Sequence, residues 1–141
     1  MDYKPLPVGI ENFGEMVQQG YYYIYKTLFL KELIDKKGKV NLFARPRRFG
    51  KTLCLSMVRC FFEKGGDSYL FHGMKIMEAG EKYTSEMCKY PVVSISLKDV
   101  EGMEYDRAMR LLRKELRREF RRHKYLLKSD SIDEDQKEDF L

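Results

Sequence analysis

Val40-Asn41-Leu42-Phe43-Ala44-Arg45-Pro46-Arg47-Arg48-Phe49-Gly50-Lys51-Thr52 is the stretch from which the rest of the chain can be read. Its first five residues are short, apolar and bounded by turn formers, the pattern of a buried strand. The next six cannot continue regular structure, because Pro46 fixes its own φ and pushes Arg45 to an extended conformation. From Lys51 to Glu63, Leu53, Met57, Cys60 and Phe61 share one helical face, and Cys54, Val58 and Phe62 widen it. A helix so apolar is expected to lie deep against a sheet, and Gly65-Gly66 stops it.

Strand, loop and helix in that order are the context of a phosphate loop. Such a loop curls so that several backbone N–H groups face one anion at the positive end of the following helix. A Lys then reaches the β- and γ-phosphates, and a neighbouring hydroxyl ligates Mg²⁺. Gly50 permits the close backbone approach, Lys51 supplies the charge and Thr52 the hydroxyl. The loop departs from the usual GxxxxGK[ST] form. Arg45 stands at the first Gly and Pro46 removes one N–H donor. Arg45, Arg47 and Arg48 raise the positive potential around a bound phosphate, with solvated charge the equal alternative for each. The competing reading of the whole segment is a basic turn that caps a helix.

Working outward, Asn12 with Glu15 resembles a capping box, and Phe13, Met16 and Val17 share a face that Gly20 closes. Tyr21-Tyr22-Tyr23-Ile24-Tyr25 is β-prone. Thr27 can cap a helix carrying Leu28, Leu30, Leu33 and Ile34, ending at Gly38. Residues 67–90 read as short helices and loops. Pro91-Val92-Val93-Ser94-Ile95-Ser96-Leu97 is a second strand. A long helix follows over 104–127, with Tyr105, Ala108, Met109, Leu112, Leu116, Phe120 and Leu127 as its apolar stripe. The expected fold is α/β: a parallel sheet core flanked by helices, incomplete in this chain. It divides into an arm over 1–38, a partial core over 39–128 and an acidic tail over 129–141.

Composition fits this reading. The chain has 141 residues, 27 Lys+Arg, 22 Asp+Glu and three Cys, enough length for one domain without staples. No apolar run reaches a membrane span and the N-terminus lacks a secretory signal, so a cytoplasmic protein is expected. Cys54 and Cys60 lie six apart on one helix and cannot bridge, and Cys88, His72 and His123 offer no metal-ligand spacing. All three cysteines read as reduced packing residues, with a redox role the alternative.

Arg45-Pro-Arg-Arg-Phe-Gly-Lys-Thr-Leu resembles the signature of the bacterial AAA-ATPase-like family, whose members usually carry a PD-(D/E)XK nuclease-like domain further on. Leu6-Pro-Val-Gly-Ile-Glu-Asn-Phe and the segment from Tyr21 to Leu30 look like the family's N-terminal arm. Tyr90-Pro-Val-Val-Ser-Ile-Ser-Leu-Lys-Asp-Val is similar to its next strand. Where the family usually has Asp-Lys-Thr, this chain has Tyr25-Lys26-Thr27. The resemblance implies a P-loop (Walker A) fold that binds ATP with Mg²⁺. Gly50, Lys51 and Thr52 carry over as phosphate and Mg²⁺ contacts, while Arg45, Arg47, Arg48 and Phe49 match the signature without assigned roles.

Hydrolysis also needs an acidic strand end. The step Asp133-Glu134 follows Ser131-Ile132 in a polar tail, and Asp99 is a lone acid past the second strand. In the resembling family the acidic strand follows the long helix, so an N-terminal fragment that binds nucleotide is expected, with turnover belonging to a longer ATPase. The rival function is a nucleic-acid or protein interaction module. Between 107 and 124 lie nine basic residues: Arg107, Arg110, Arg113, Lys114, Arg117, Arg118, Arg121, Arg122 and Lys124. Such a helix could follow a phosphate backbone. A solvated face, neutralised by the acidic tail, is preferred at this level because no aromatic residue interleaves it.

Overall fold

The computed structural model describes residues 4–46, 50–98, 100, 104–130 and 132–140. The chain divides into two compact units that meet in sequence at Val92 and Val93.

The first unit is helical. Helix α1 (Phe13–Gln18) begins where the Asn12 side chain accepts a hydrogen bond from the Glu15 amide at 3.1 Å. The Phe13 amide donates to Ser56 Oγ at 2.9 Å, which ties α1 to helix α3 (Lys51–Phe62). Helix α2 (Leu28–Lys36) follows an extended segment in which Tyr21, Tyr23 and Tyr25 face inward while Tyr22 and Ile24 face solvent. Thr27 stands at the N-cap of α2 but does not cap it. Its buried hydroxyl accepts from the Ile76 amide at 3.3 Å, binding α2 to the short helix α4 (Lys75–Glu78). The left-handed turn that ends α2 falls on Lys37, at φ 47°, rather than on Gly38.

The core lies where α3 meets α1 and a 3-10 turn over Ser68–Phe71. Phe13 stacks on Phe71 with ring centroids 5.0 Å apart, and Phe61 meets Phe71 edge-on at 5.3 Å. Leu53, Met57 and Phe61 of α3 are buried, as the spacing of its apolar residues predicts. The end of α3 is closed by chain returning from beyond residue 67. The amides of Cys88 and Tyr90 donate to the carbonyls of Phe61 and Phe62, each at 2.8 Å, so two helix-end carbonyls find donors. Lys64 N in turn donates to Tyr90 O at 2.7 Å.

Helix α5 (Glu81–Thr84) is fastened to α2 by Asp35, whose carboxylate accepts from Lys82 Nζ at 2.5 Å and from the Tyr83 hydroxyl at 3.0 Å. These partners, Lys82 first, hold the Asp35 carboxyl below its ordinary range. A depressed carboxyl stabilises the fold above its unfolded-state pKa, and that contribution is lost as pH falls through the folded one. Asp35→Asn should therefore lower Tm modestly at neutral pH, and the difference from the unaltered chain should vanish in acid, as thermal melts across pH will register.

The expected parallel sheet is not what the described residues form; they are mainly helical and contain no strand ladder. Residues 41–46 and 91–97 form no regular element, and the parallel bridge Glu63↔Tyr90 stands isolated. The reason is partnership. A strand is fixed by a neighbour that takes its N–H and C=O groups, and β-propensity reports only fitness for a pleated, half-buried surface. Val40 and Leu42 have no such surface and are 89% and 90% exposed. Helix α3, expected against a sheet, packs instead on α1 and the 3-10 turn.

In the second unit, helix α6 (Tyr105–Arg122) is succeeded by a 3-10 turn over Lys124–Lys128 and by helix α7 (Glu134–Phe140). The side turned inward is partly polar. Glu119 is 7% exposed; its carboxylate accepts from Ser94 N at 2.8 Å and from Arg122 Nη1 at 2.5 and 2.6 Å. His123, 4% exposed, places Nε2 3.5 Å from the same carboxylate. Phe120, placed on the apolar stripe by its spacing, is half exposed. A buried carboxylate is sustained only when its oxygens find donors, and here the amide of residue 94 and Arg122 supply them.

Candidate functional site at the start of helix α3

Gly50 takes the left-handed conformation (φ 71°, ψ 26°) directly before α3, a turn that a residue with a Cβ enters at a cost. No side chain caps the helix. Cys54 N donates to Gly50 O at 2.9 Å, while the amides of Lys51, Thr52 and Leu53 have no acceptor among the described residues. Unsatisfied first-turn amides at the positive end of a helix are the physical basis of anion binding. The exposed Lys51 donates from Nζ to Arg45 O at 2.7 Å. An ammonium has three donors, so this bond leaves two for an anion. Thr52 is exposed in the same turn.

Two clefts adjoin this turn. The smaller is lined by Tyr23, Lys26, Arg45, Gly50 and Cys54 among others. The second, about 240 Å³, lies between Phe29, Asn41, Phe43, Arg45, Lys51, Cys54 and Leu55. Phe43 reaches it from residues 41–46 and meets Phe29 of α2 edge-on, centroids 4.8 Å apart. Arg45 therefore borders both clefts, while Arg47, Arg48 and Phe49 lie outside the described residues, as does Asp99. Among the described residues, no acidic residue lines either cleft.

The chain's own environment explains the titrations here. Burial pushes the Cys54 thiol up, with Arg45 and then Lys26 opposing. Burial likewise raises the Tyr23 phenol, followed by the neighbouring Cys54, against the pull of Arg45. Cys54 is thus a protonated thiol at neutral pH, and thiolate is the reactive form. Iodoacetamide at pH 7.5 should alkylate it more slowly than a free peptide thiol, with the rate rising as the pH is raised; peptide mass spectrometry gives both rates.

A family model described as Predicted AAA-ATPase matches residues 7–141. The chain belongs to this AAA-ATPase-like family. It is also similar to a curated protein of Azotobacter chroococcum mcd 1, described as an uncharacterized protein in the vnfD 5' region. The two are 33% identical over 111 residues, covering 74% of this chain and 20% of the relative. The chain thus spans about a fifth of the length of that relative. No solved structure matches.

Within this AAA-ATPase-like chain, Gly50, Lys51 and Thr52 stand at the start of α3, and the Arg45 carbonyl accepts from Lys51. The place where the family usually has Asp is held by Tyr25, whose ring meets Phe13 at 5.9 Å and Tyr23 at 5.4 Å, both edge-on. Aromatic contact stands there instead of a carboxylate. Sequence reasoning missed Tyr23, Lys26, Phe29, Phe43 and Cys54 as lining residues. The signal for Tyr23 was the alternation of tyrosines at 21, 23 and 25, which turns every second ring inward. Among the described residues, no helix is long and apolar enough to cross a membrane, and no group of His, Cys, Asp or Glu could hold a metal ion.

Proposed function

We propose that the start of α3, with Lys51, Thr52 and the nearby Arg45, binds the phosphates of ATP with Mg²⁺. The observation that carries this reading is the start of α3, where a left-handed Gly50 is followed by the first-turn amides, the Lys51 ammonium and the exposed Thr52 hydroxyl with no side-chain cap among the described residues. This donor set fits a polyphosphate: amides and ammonium take anionic oxygens, and the hydroxyl is the hard oxygen ligand that Mg²⁺ prefers. Membership of the AAA-ATPase-like family supports the same ligand. Arg45 adds positive potential at the mouth of both clefts, and Phe29 and Phe43 give the larger one an apolar wall.

Binding is the activity these residues support. Lys51 and the amides would hold and orient the phosphates, Thr52 would ligate the metal, and the metal would offset phosphate charge. Among the described residues, no carboxylate that could position water lines the clefts. ATPase turnover is therefore proposed for the longer protein and not for these residues alone. The test is a thermal melt of the chain with Mg·ATP, ATP in EDTA, and adenosine. Mg·ATP should raise Tm most, ATP without metal less, and adenosine not at all. No shift at millimolar Mg·ATP overturns the proposal.

A further inference from the structure

We propose that α6 carries a second, separate binding surface that lies against the phosphate backbone of double-stranded nucleic acid. At about 100° per residue, Arg107, Arg110, Lys114, Arg117 and Arg121 fall within an arc of about 80°. Leu112 lies diametrically opposite, beside the buried Glu119. The helix therefore faces its own unit with one side and presents to water another that is mostly basic, with the exposed Asp106 at its margin. The stripe from Arg107 to Arg121 is about 21 Å long at 1.5 Å per residue.

Among the described residues, no ion pair joins the acidic tail to the stripe. Acidic residues elsewhere in the unit pair locally: Glu134 with Lys137 at 2.7 Å, Glu115 with Arg118, and Glu119 with Arg122. Arg107, Arg110, Arg113, Lys114, Arg117 and Arg121 have no ion pair or hydrogen-bond partner among the described residues. Like charges at such spacing repel one another along the helix, a cost that a polyanion reverses.

The occupant follows from chemistry. Four of the five stripe residues are arginines, whose planar forks match phosphate oxygens. A membrane surface is disfavoured, because an interfacial helix inserts its apolar face and here that side carries Glu119 and is turned inward. Single strands are disfavoured because no aromatic ring lies in the stripe for bases to stack on. Duplex backbone, read without sequence preference, remains.

Fluorescence anisotropy of the whole chain with a labelled 30-base-pair duplex, in the absence of nucleotide, tests this. Affinity should fall steeply with salt, with a slope of log K against log salt of about −4 to −5 for five phosphates engaged. The triple change Arg110→Glu, Arg117→Glu, Arg121→Glu should weaken binding at least a hundredfold. The milder Arg→Gln triple should lower the slope by about 3, which keeps the test valid if the first variant misfolds. A control with the same charge change in the other unit, Lys36→Glu, Lys39→Glu, Lys64→Glu, should retain most affinity. Equal loss in the control, no duplex binding at 50 mM salt, or a preference for phosphatidylserine vesicles over duplex each overturns the proposal.

Discussion

Lys51→Ala is expected to abolish most of the rise in Tm that Mg·ATP gives the unaltered chain. A ligand that binds only the folded state stabilises it by about 2.7 kcal/mol when present at a hundred times its Kd. A hydrogen bond to a charged group is worth roughly 1.5–3 kcal/mol, and the Lys51 ammonium has two donors to give beyond the one on Arg45 O. Losing them weakens binding about a hundredfold or more, which cuts the linkage term to about 0.4 kcal/mol. A shift of about ten degrees would shrink to about two. Because Lys51 is exposed, its removal should leave the ligand-free Tm nearly unchanged. A retained shift in the alanine variant would place the nucleotide elsewhere and sink the assignment of this turn.

Phe61→Ala should cost about 3–5 kcal/mol, the usual loss for a large aromatic removed from a closed core. The ring is fully buried, meets Phe71 and Phe62 edge-on, and belongs to the cluster that joins α3 to α1. Domains hold only about 5–15 kcal/mol in reserve, so urea titration should find the variant largely unfolded or nearly so. Phe61 and Lys51 sit on one helix, ten residues apart. The two variants therefore separate stability from ligand binding. Lys51→Ala keeps the scaffold and loses the ligand, whereas Phe61→Ala loses the scaffold and the ligand with it.

Local patterns proved legible and pairings did not. The starts of α1 and α3, the inward positions Phe13, Met16, Leu53, Met57 and Phe61, and the short elements of 67–90 follow from spacing and caps alone. Residues 40–44 and 91–97 carried equally good strand patterns, but a ladder needs a second segment alongside, and no short-range signal states whether one is there. Thr27 illustrates the same limit at one atom: its place before an apolar run suggests a cap, while its hydroxyl is claimed by an amide 49 residues away. Glu119 sits among arginines in the sequence and reads as a surface counter-charge, yet it is the buried acceptor for the amide of Ser94. At the candidate site, Gly50, Lys51 and Thr52 were visible because their roles are written in consecutive residues. Phe43 and Cys54 were not, because only the folded chain brings them to one cleft.

The closing of α3 by residues 88–90 has a consequence for how this chain tolerates changes of length. Backbone bonds from Cys88 and Tyr90 to Phe61 and Phe62 pin the two ends of an excursion together at its base. The excursion pays into the core through Leu70, Phe71, Ile76 and Tyr83, but its corners at Gly73 and Gly80 are exposed and have open space around them. Lengthening a loop whose ends are already held adds little, since closure entropy grows only with the logarithm of length. Insertions at those two corners should thus pass unnoticed by α3 and by the turn at Gly50.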